Sequence, residues 1–61
     1  MRPARNDHSP AAEELRAANH ALATDPVNTG QLGTVDLTSP AAQQNLNAQD
    51  RVRAAEAAYR S

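Results

Sequence analysis

Apolar positions along the chain form two helical stripes, separated by a stretch with a different rhythm. Ala11, Leu15, Ala18 and Leu22 recur at spacings of 4, 3 and 4, which puts them on one face of an α-helix. Ala41, Asn45, Ala48, Val52, Ala55 and Tyr59 repeat the alternation of 4 and 3 and span an arc of only about 80° at 100° per residue. This is the spacing of a coiled-coil-like seam. In both stripes Ala alternates with larger residues, so two backbones can approach closely. Asn45 breaks the apolar character, and an Asn at such a position usually sets register or partner number at some cost in stability. Leu46 lies about 100° away from it and needs a second contact.

Both stripes carry their own start signals. Ser9-Pro10-Ala11-Ala12 recurs as Ser39-Pro40-Ala41-Ala42. A serine can accept a hydrogen bond at the N-cap, and proline suits the first helical position because its missing N–H has no intrahelical partner there. Glu13 and Glu14 follow near the positive end of the first helix dipole, and Arg60 lies near the negative end of the second. Asp25-Pro26 stops the first helix, since a residue before proline is pushed out of the helical region. Between the helices, Pro26, Asn28, Gly30 and Gly33 mark turns. Val35 and Leu37 alternate with Thr34, Asp36 and Thr38 in a short extended pattern.

The reading is therefore an all-α chain. A flexible N-terminal arm covers residues 1–8, and a helix-loop-helix covers 9–61, with helices at about 10–23 and 40–60 and a long irregular or extended loop at 24–38. Two arrangements use the seams: an antiparallel hairpin stabilised within an assembly, or two helices draped separately over a partner.

Composition adds a reason to expect a partner. The 61 residues include 14 Ala, but the larger apolar side chains besides Met1 are five Leu, three Val and Tyr59. A core built from so few is not expected to order the chain alone. Order is expected mainly within an assembly. Leu15, Leu22, Val35, Leu37, Leu46, Val52 and Tyr59 are the candidate partner-binding residues, with Ser9 and Ser39 as caps. Tyr59 ends the second seam and is the strongest candidate for an interface anchor.

Charge and chemistry narrow the function by subtraction. The net charge of −1 provides no strong field toward nucleic acid or anionic membrane. The arginines at 51, 53 and 60 are interleaved with Asp50 and Glu56 and lack aromatic neighbours for base stacking, apart from Tyr59. The chain has no Cys, hence no disulfide or thiolate site. No apolar run approaches the length of a spanning helix or a signal-peptide core. Asp7, His8 and Ser9 are residue types of a hydrolytic triad, but adjacent residues do not easily adopt triad geometry. His8 and His20 lack the companions of a metal motif, and Gly30 and Gly33 match no phosphate-binding pattern. No cofactor, metal, catalytic residue or small-molecule substrate is expected. All six basic residues are Arg, beside abundant Ala and no Lys, Ile or Phe, a usage typical of a GC-rich genome.

The order helix, Asp-Pro-containing loop, helix resembles the small needle and rod subunits of secretion systems. Those subunits end in a strongly apolar helix, whereas Asp50, Arg51, Arg53 and Glu56 are charged here. No functional residue carries over. The leading expectation is a non-catalytic structural or accessory subunit bound to a larger subunit or to copies of itself. Its most specific form is a phage virion protein of the capsid or tail, in the virion or cytoplasm of a GC-rich bacterium. The alternatives are a small regulatory binder, such as an antitoxin or inhibitor that folds on its target, and a needle- or rod-like subunit.

Overall fold

Helix α1 (Pro10–Ala23) begins where Ser9, in extended backbone conformation, accepts a hydrogen bond from the Ala12 N–H at 3.2 Å. Helix α2 (Pro40–Arg60) begins the same way, with Ser39 accepting from the Ala42 N–H at 3.2 Å. Each cap satisfies one of the N–H groups that a helix start leaves without a partner. At the end of α1, Thr24 leaves helical geometry and closes the last turn through its N–H and its hydroxyl, both donated to the His20 carbonyl. The computed structural model describes residues 2–61. Among them these two helices are the only regular elements and no strand forms.

The helices fold back on each other as an antiparallel hairpin. Three pairings define the direction: Asp7 with Tyr59, Glu14 with Arg51, and Asp25 with Asn45. Leu15 and Ala18 of α1 meet Ala55 of α2, and Val52 and Tyr59 pack against this cluster. Among the described residues Leu15 is the only large side chain completely removed from solvent. The small residues beside it allow the close approach on which so thin an interior depends.

The buried stripe differs from the simple periodicity in the first turn of each helix. Ala12 and Ala42 are buried, while Ala11 and Ala41 are half-buried. Helical side chains tilt toward the N-terminus, so the residue that meets the incoming chain lies one position further on.

The connection between the helices is irregular. Residues 26–32 form consecutive turns, closed by hydrogen bonds from Thr29 N–H to the Asp25 carbonyl, Gln31 N–H to Pro26 and Gly33 N–H to Gly30. Gly30 and Gly33 have φ of 77° and 64°, left-handed values that glycine adopts without penalty. Asp36 then organises the entry to α2. Its carboxylate accepts from the Thr38 N–H and hydroxyl, and its carbonyl from the Ser39 N–H and hydroxyl.

The N-terminal arm lies against the end of the hairpin. The Ala4 carbonyl accepts from the Arg16 guanidinium at 2.5 Å and from the Asp7 N–H at 3.0 Å. Asp7 in turn accepts from the Tyr59 hydroxyl at 3.0 Å. Pro3 and Asp7 are half-buried as a result. The first position of the arm, Met1, lies outside the described residues.

The thin interior makes a size prediction at neighbouring alanines. Ala55 faces α1 and Ala54 faces solvent. Ala55→Leu should destabilise the chain by about 1–3 kcal/mol through overpacking, while Ala54→Leu should change stability by less than about 0.5 kcal/mol. Urea denaturation followed by circular dichroism measures both.

Candidate functional site

The turns of the loop end lie over the first half of α2 and leave an open groove of about 490 Å³ between them. Val27, Val35 and Leu37 line it from the loop, and Ala42, Leu46 and Gln49 from the helix. Its walls are aliphatic, and no lining side chain carries a charge. Leu37 is 88% exposed, and Leu46 and the nearby loop residue Leu32 are about half exposed, at 50% and 48%. Leucines are normally among the most buried residues, so several exposed leucines together mark a candidate contact face.

A polar network ties the groove residues Asn45 and Gln49 to the end of α1 and the first turn of the loop. Asn45 is 6% exposed and Asp25 is 5% exposed. The Asn45 amide donates to Asp25 Oδ1 at 3.1 Å and to Asn28 Oδ1 at 3.3 Å, and its oxygen accepts from Gln49 at 2.7 Å. Asp25 Oδ1 also accepts from the Val27 N–H at 2.9 Å, and Asn28 donates to the Leu22 carbonyl at 2.8 Å. One side chain of α2 thus holds the end of α1 and the first turn of the loop together. Among the described residues no buried side-chain nitrogen or oxygen lacks a partner.

The structure divides the candidate partner-binding residues into two sets. Leu15 belongs to the hairpin interior, Val52 and Tyr59 pack half-buried against it, and Leu22 is half-buried at the loop end of α1. Leu15, at 0% exposure, is taken up by the contact between the helices and has no surface to offer a partner. Val35, Leu37 and Leu46 come together on the groove. Ser9 and Ser39 cap the helices. Sequence reasoning missed Val27 and Leu32. It also read Asp25 only as the end of a helix. The signal for Asp25 was a second polar residue, Asn45, in an otherwise apolar seam.

Several charged side chains have structural partners. Glu14, read as a complement to the helix dipole, is gripped by Arg51 through two bonds of 2.9 Å that cross from α1 to α2. Both partners are about half exposed, so salt screens the pair. Glu13 pairs with Arg16 at 2.7 Å and faces His8 at 3.3 Å. Asp7, His8 and Ser9 form no triad: Ser9 caps α1, and Asp7 Oδ1 accepts the Ser9 N–H. Among the described residues no group of His, Asp and Glu converges as a metal site, and no helix is long and apolar enough to cross a membrane.

Three of these contacts shift ionisation. The Ser9 N–H, then the Ser9 hydroxyl and Tyr59, hold the Asp7 carboxyl below its ordinary 3.8. Arg51 holds Glu14 below 4.5. The bond to Asp7 raises the Tyr59 phenol above 10.0.

No family model, characterised protein or solved structure matches the chain.

Two measurements check the polar contacts. Asn45→Ala leaves Asp25 without its side-chain donor and should cost about 1–3 kcal/mol. Adding Asp25→Ala should cost less than the sum of the single changes, because the two residues share one bond. Asp7 and Glu14 have depressed folded-state values, so their stabilisation is full above the unfolded values and lost as pH falls through the folded ones. The thermal midpoint should drop between about pH 5 and about pH 2, and Glu14→Gln with Asp7→Asn should flatten that drop.

Proposed function

We propose that this chain is a non-catalytic accessory subunit that docks on a larger protein assembly through the groove between its loop and the first half of α2. The observation that carries the proposal is the placement of the leucines. Among the described residues Leu15 is the one large side chain fully buried, while Leu37 and Leu46 stand exposed on the walls of a groove of about 490 Å³ and Leu32 is half exposed beside its lining residue Gly33. A fold that fills its interior mainly with alanine and keeps larger aliphatic side chains outside is suited to binding. Leu37 at the tip of one wall and Leu46 on the other are its anchors.

In its most specific form the subunit belongs to a phage virion, at the capsid or tail, and the Ala- and Arg-rich composition supports a GC-rich host. The assembly also contributes to the order of the chain. A partner that binds only the folded form raises its stability by mass action, and a hairpin with one fully buried large side chain has the most to gain.

The test is incorporation into the native assembly. Leu37→Asp with Leu46→Asp should abolish incorporation while shifting the thermal midpoint little, because both side chains are exposed. Ala54→Asp, on another face, should incorporate normally. Light scattering of the purified complex should give many copies per particle. A discrete complex with one or two copies would instead favour the regulatory binder, and normal incorporation of the double variant would sink the docking face.

A further inference from the structure

The N-terminal arm joins the two helices at the end of the hairpin that the loop leaves open. On α1, the Arg16 guanidinium pairs with Glu13 at 2.7 Å and donates to the Ala4 carbonyl at 2.5 Å, and Glu13 faces His8 at 3.3 Å. On α2, the Tyr59 hydroxyl donates to Asp7 Oδ2 at 3.0 Å. The other oxygen of that carboxylate, Oδ1, accepts the Ser9 N–H at 3.0 Å, so Asp7 is tied at once to the cap of α1 and to the last turn of α2. The Asp7 N–H donates back to the Ala4 carbonyl at 3.0 Å and closes a turn between the two anchors. The Ala4 backbone and Arg16 also lie near enough to the Tyr59 phenol to affect its ionisation, against the larger effect of Asp7.

These contacts differ in kind from those that hold the hairpin. Residues 2–8 include no Leu, Val or aromatic side chain, and of them Pro3 and Asp7 reach half burial. Polar bonds at the surface contribute little net stability because water competes for both partners, and ordering the arm costs conformational entropy at every residue. The hairpin's own contacts, Leu15 with Ala55, Glu14 with Arg51 and Asn45 with Asp25, involve no residue of the arm. A segment held in this way opens at a lower free energy than the whole molecule.

From this arrangement we propose that residues 2–8 form a clasp that opens and closes while the hairpin stays folded, with the Asp7–Tyr59 bond as its catch. The closed clasp holds the Tyr59 ring on the cluster of Leu15, Ala18 and Ala55. Opening frees the ring and uncovers that end of the seam. The coupling is reciprocal: a change that loosens the catch from the arm loosens the end of α2, and a change that loosens it from α2 loosens the arm. The leucine groove lies on the loop and the first half of α2, so the clasp stands apart from the docking reading.

Amide hydrogen exchange on the full chain, labelled with ¹⁵N, reads both sides. Asp7→Ala removes the acceptor of Tyr59 and leaves the Ser9 cap in place. It should speed exchange at Ala57 to Arg60 about fivefold, the equivalent of one net hydrogen bond, and change the amides from Asn45 to Gln49 by less than about twofold. Tyr59→Phe keeps the ring and removes only the donor, and should speed exchange of the Asp7 amide by a similar factor. Tyr59 is the single aromatic residue of the chain, so phenolate absorbance gives a second readout. Asp7→Ala should return its titration toward the ordinary 10.0. Equal acceleration at Ala57 to Arg60 and at Asn45 to Gln49 would mean that arm and hairpin open as one unit, and overturns the clasp. Unchanged exchange on both sides overturns it as well, because the bond would then hold neither. So does a response on one side alone, since the coupling must run both ways.

Discussion

The hydrogen bond from Asn45 to Asp25 sets the relative position of the remaining parts. It is buried at both ends, where a lost partner is most costly, and it joins residues 20 positions apart in sequence. Asp25 directs the chain out of α1 through its bond to the Val27 N–H, while Asn28 ties the same turn to the Leu22 carbonyl. With the turn anchored on α2, Val27 is carried to the wall of the groove and the loop lies over the helix. Apolar packing between the helices would tolerate sliding along an alanine strip. A polar bond with one satisfactory geometry does not, and it fixes the register.

The interior explains the division of labour among the apolar residues. An alanine contributes one methyl group, so the seam gains close packing and little hydrophobic stabilisation. Leu15 with Val52 and Tyr59 gives the seam a single substantial cluster, set toward the half of the hairpin where the Glu14–Arg51 fork and the Tyr59–Asp7 bond also lie. The loop half relies on the Asn45 network instead. The same molecule is thus held by hydrophobic and ionic contacts at one end and by neutral amides and a carboxylate at the other.

Much of the helical layout was legible in the sequence because local chemistry specifies it. A serine-proline pair sets each start within one turn, and Asp25-Pro26 marks the end of α1 by local backbone restriction. The stripe containing Leu15, Ala18, Val52, Ala55 and Tyr59 was legible for the same reason, since its period is that of the backbone. The contacts that were not legible connect residues far apart in the chain. Nothing near Glu14 names Arg51, 37 positions away, and nothing near Asp7 names Tyr59, 52 positions away. The contacts of the arm were not legible because its partners come within reach only after the hairpin has closed. In the loop, Pro26, Asn28, Gly30 and Gly33 marked turns in the sequence, but how the turns at 26–32 close depends on the Asp25 anchor. The groove depends on those turns, so its residues could be nominated singly but not assembled.

The Tyr59–Asp7 contact has an architectural consequence. It places the beginning and the end of the described chain side by side, on the half of the molecule remote from the loop. A domain fused ahead of the arm or behind α2 would emerge from that same pole and leave the aliphatic pole unobstructed. The hairpin's geometry therefore suits a terminal appendage, or an insertion between two other domains whose junctions meet at a single point.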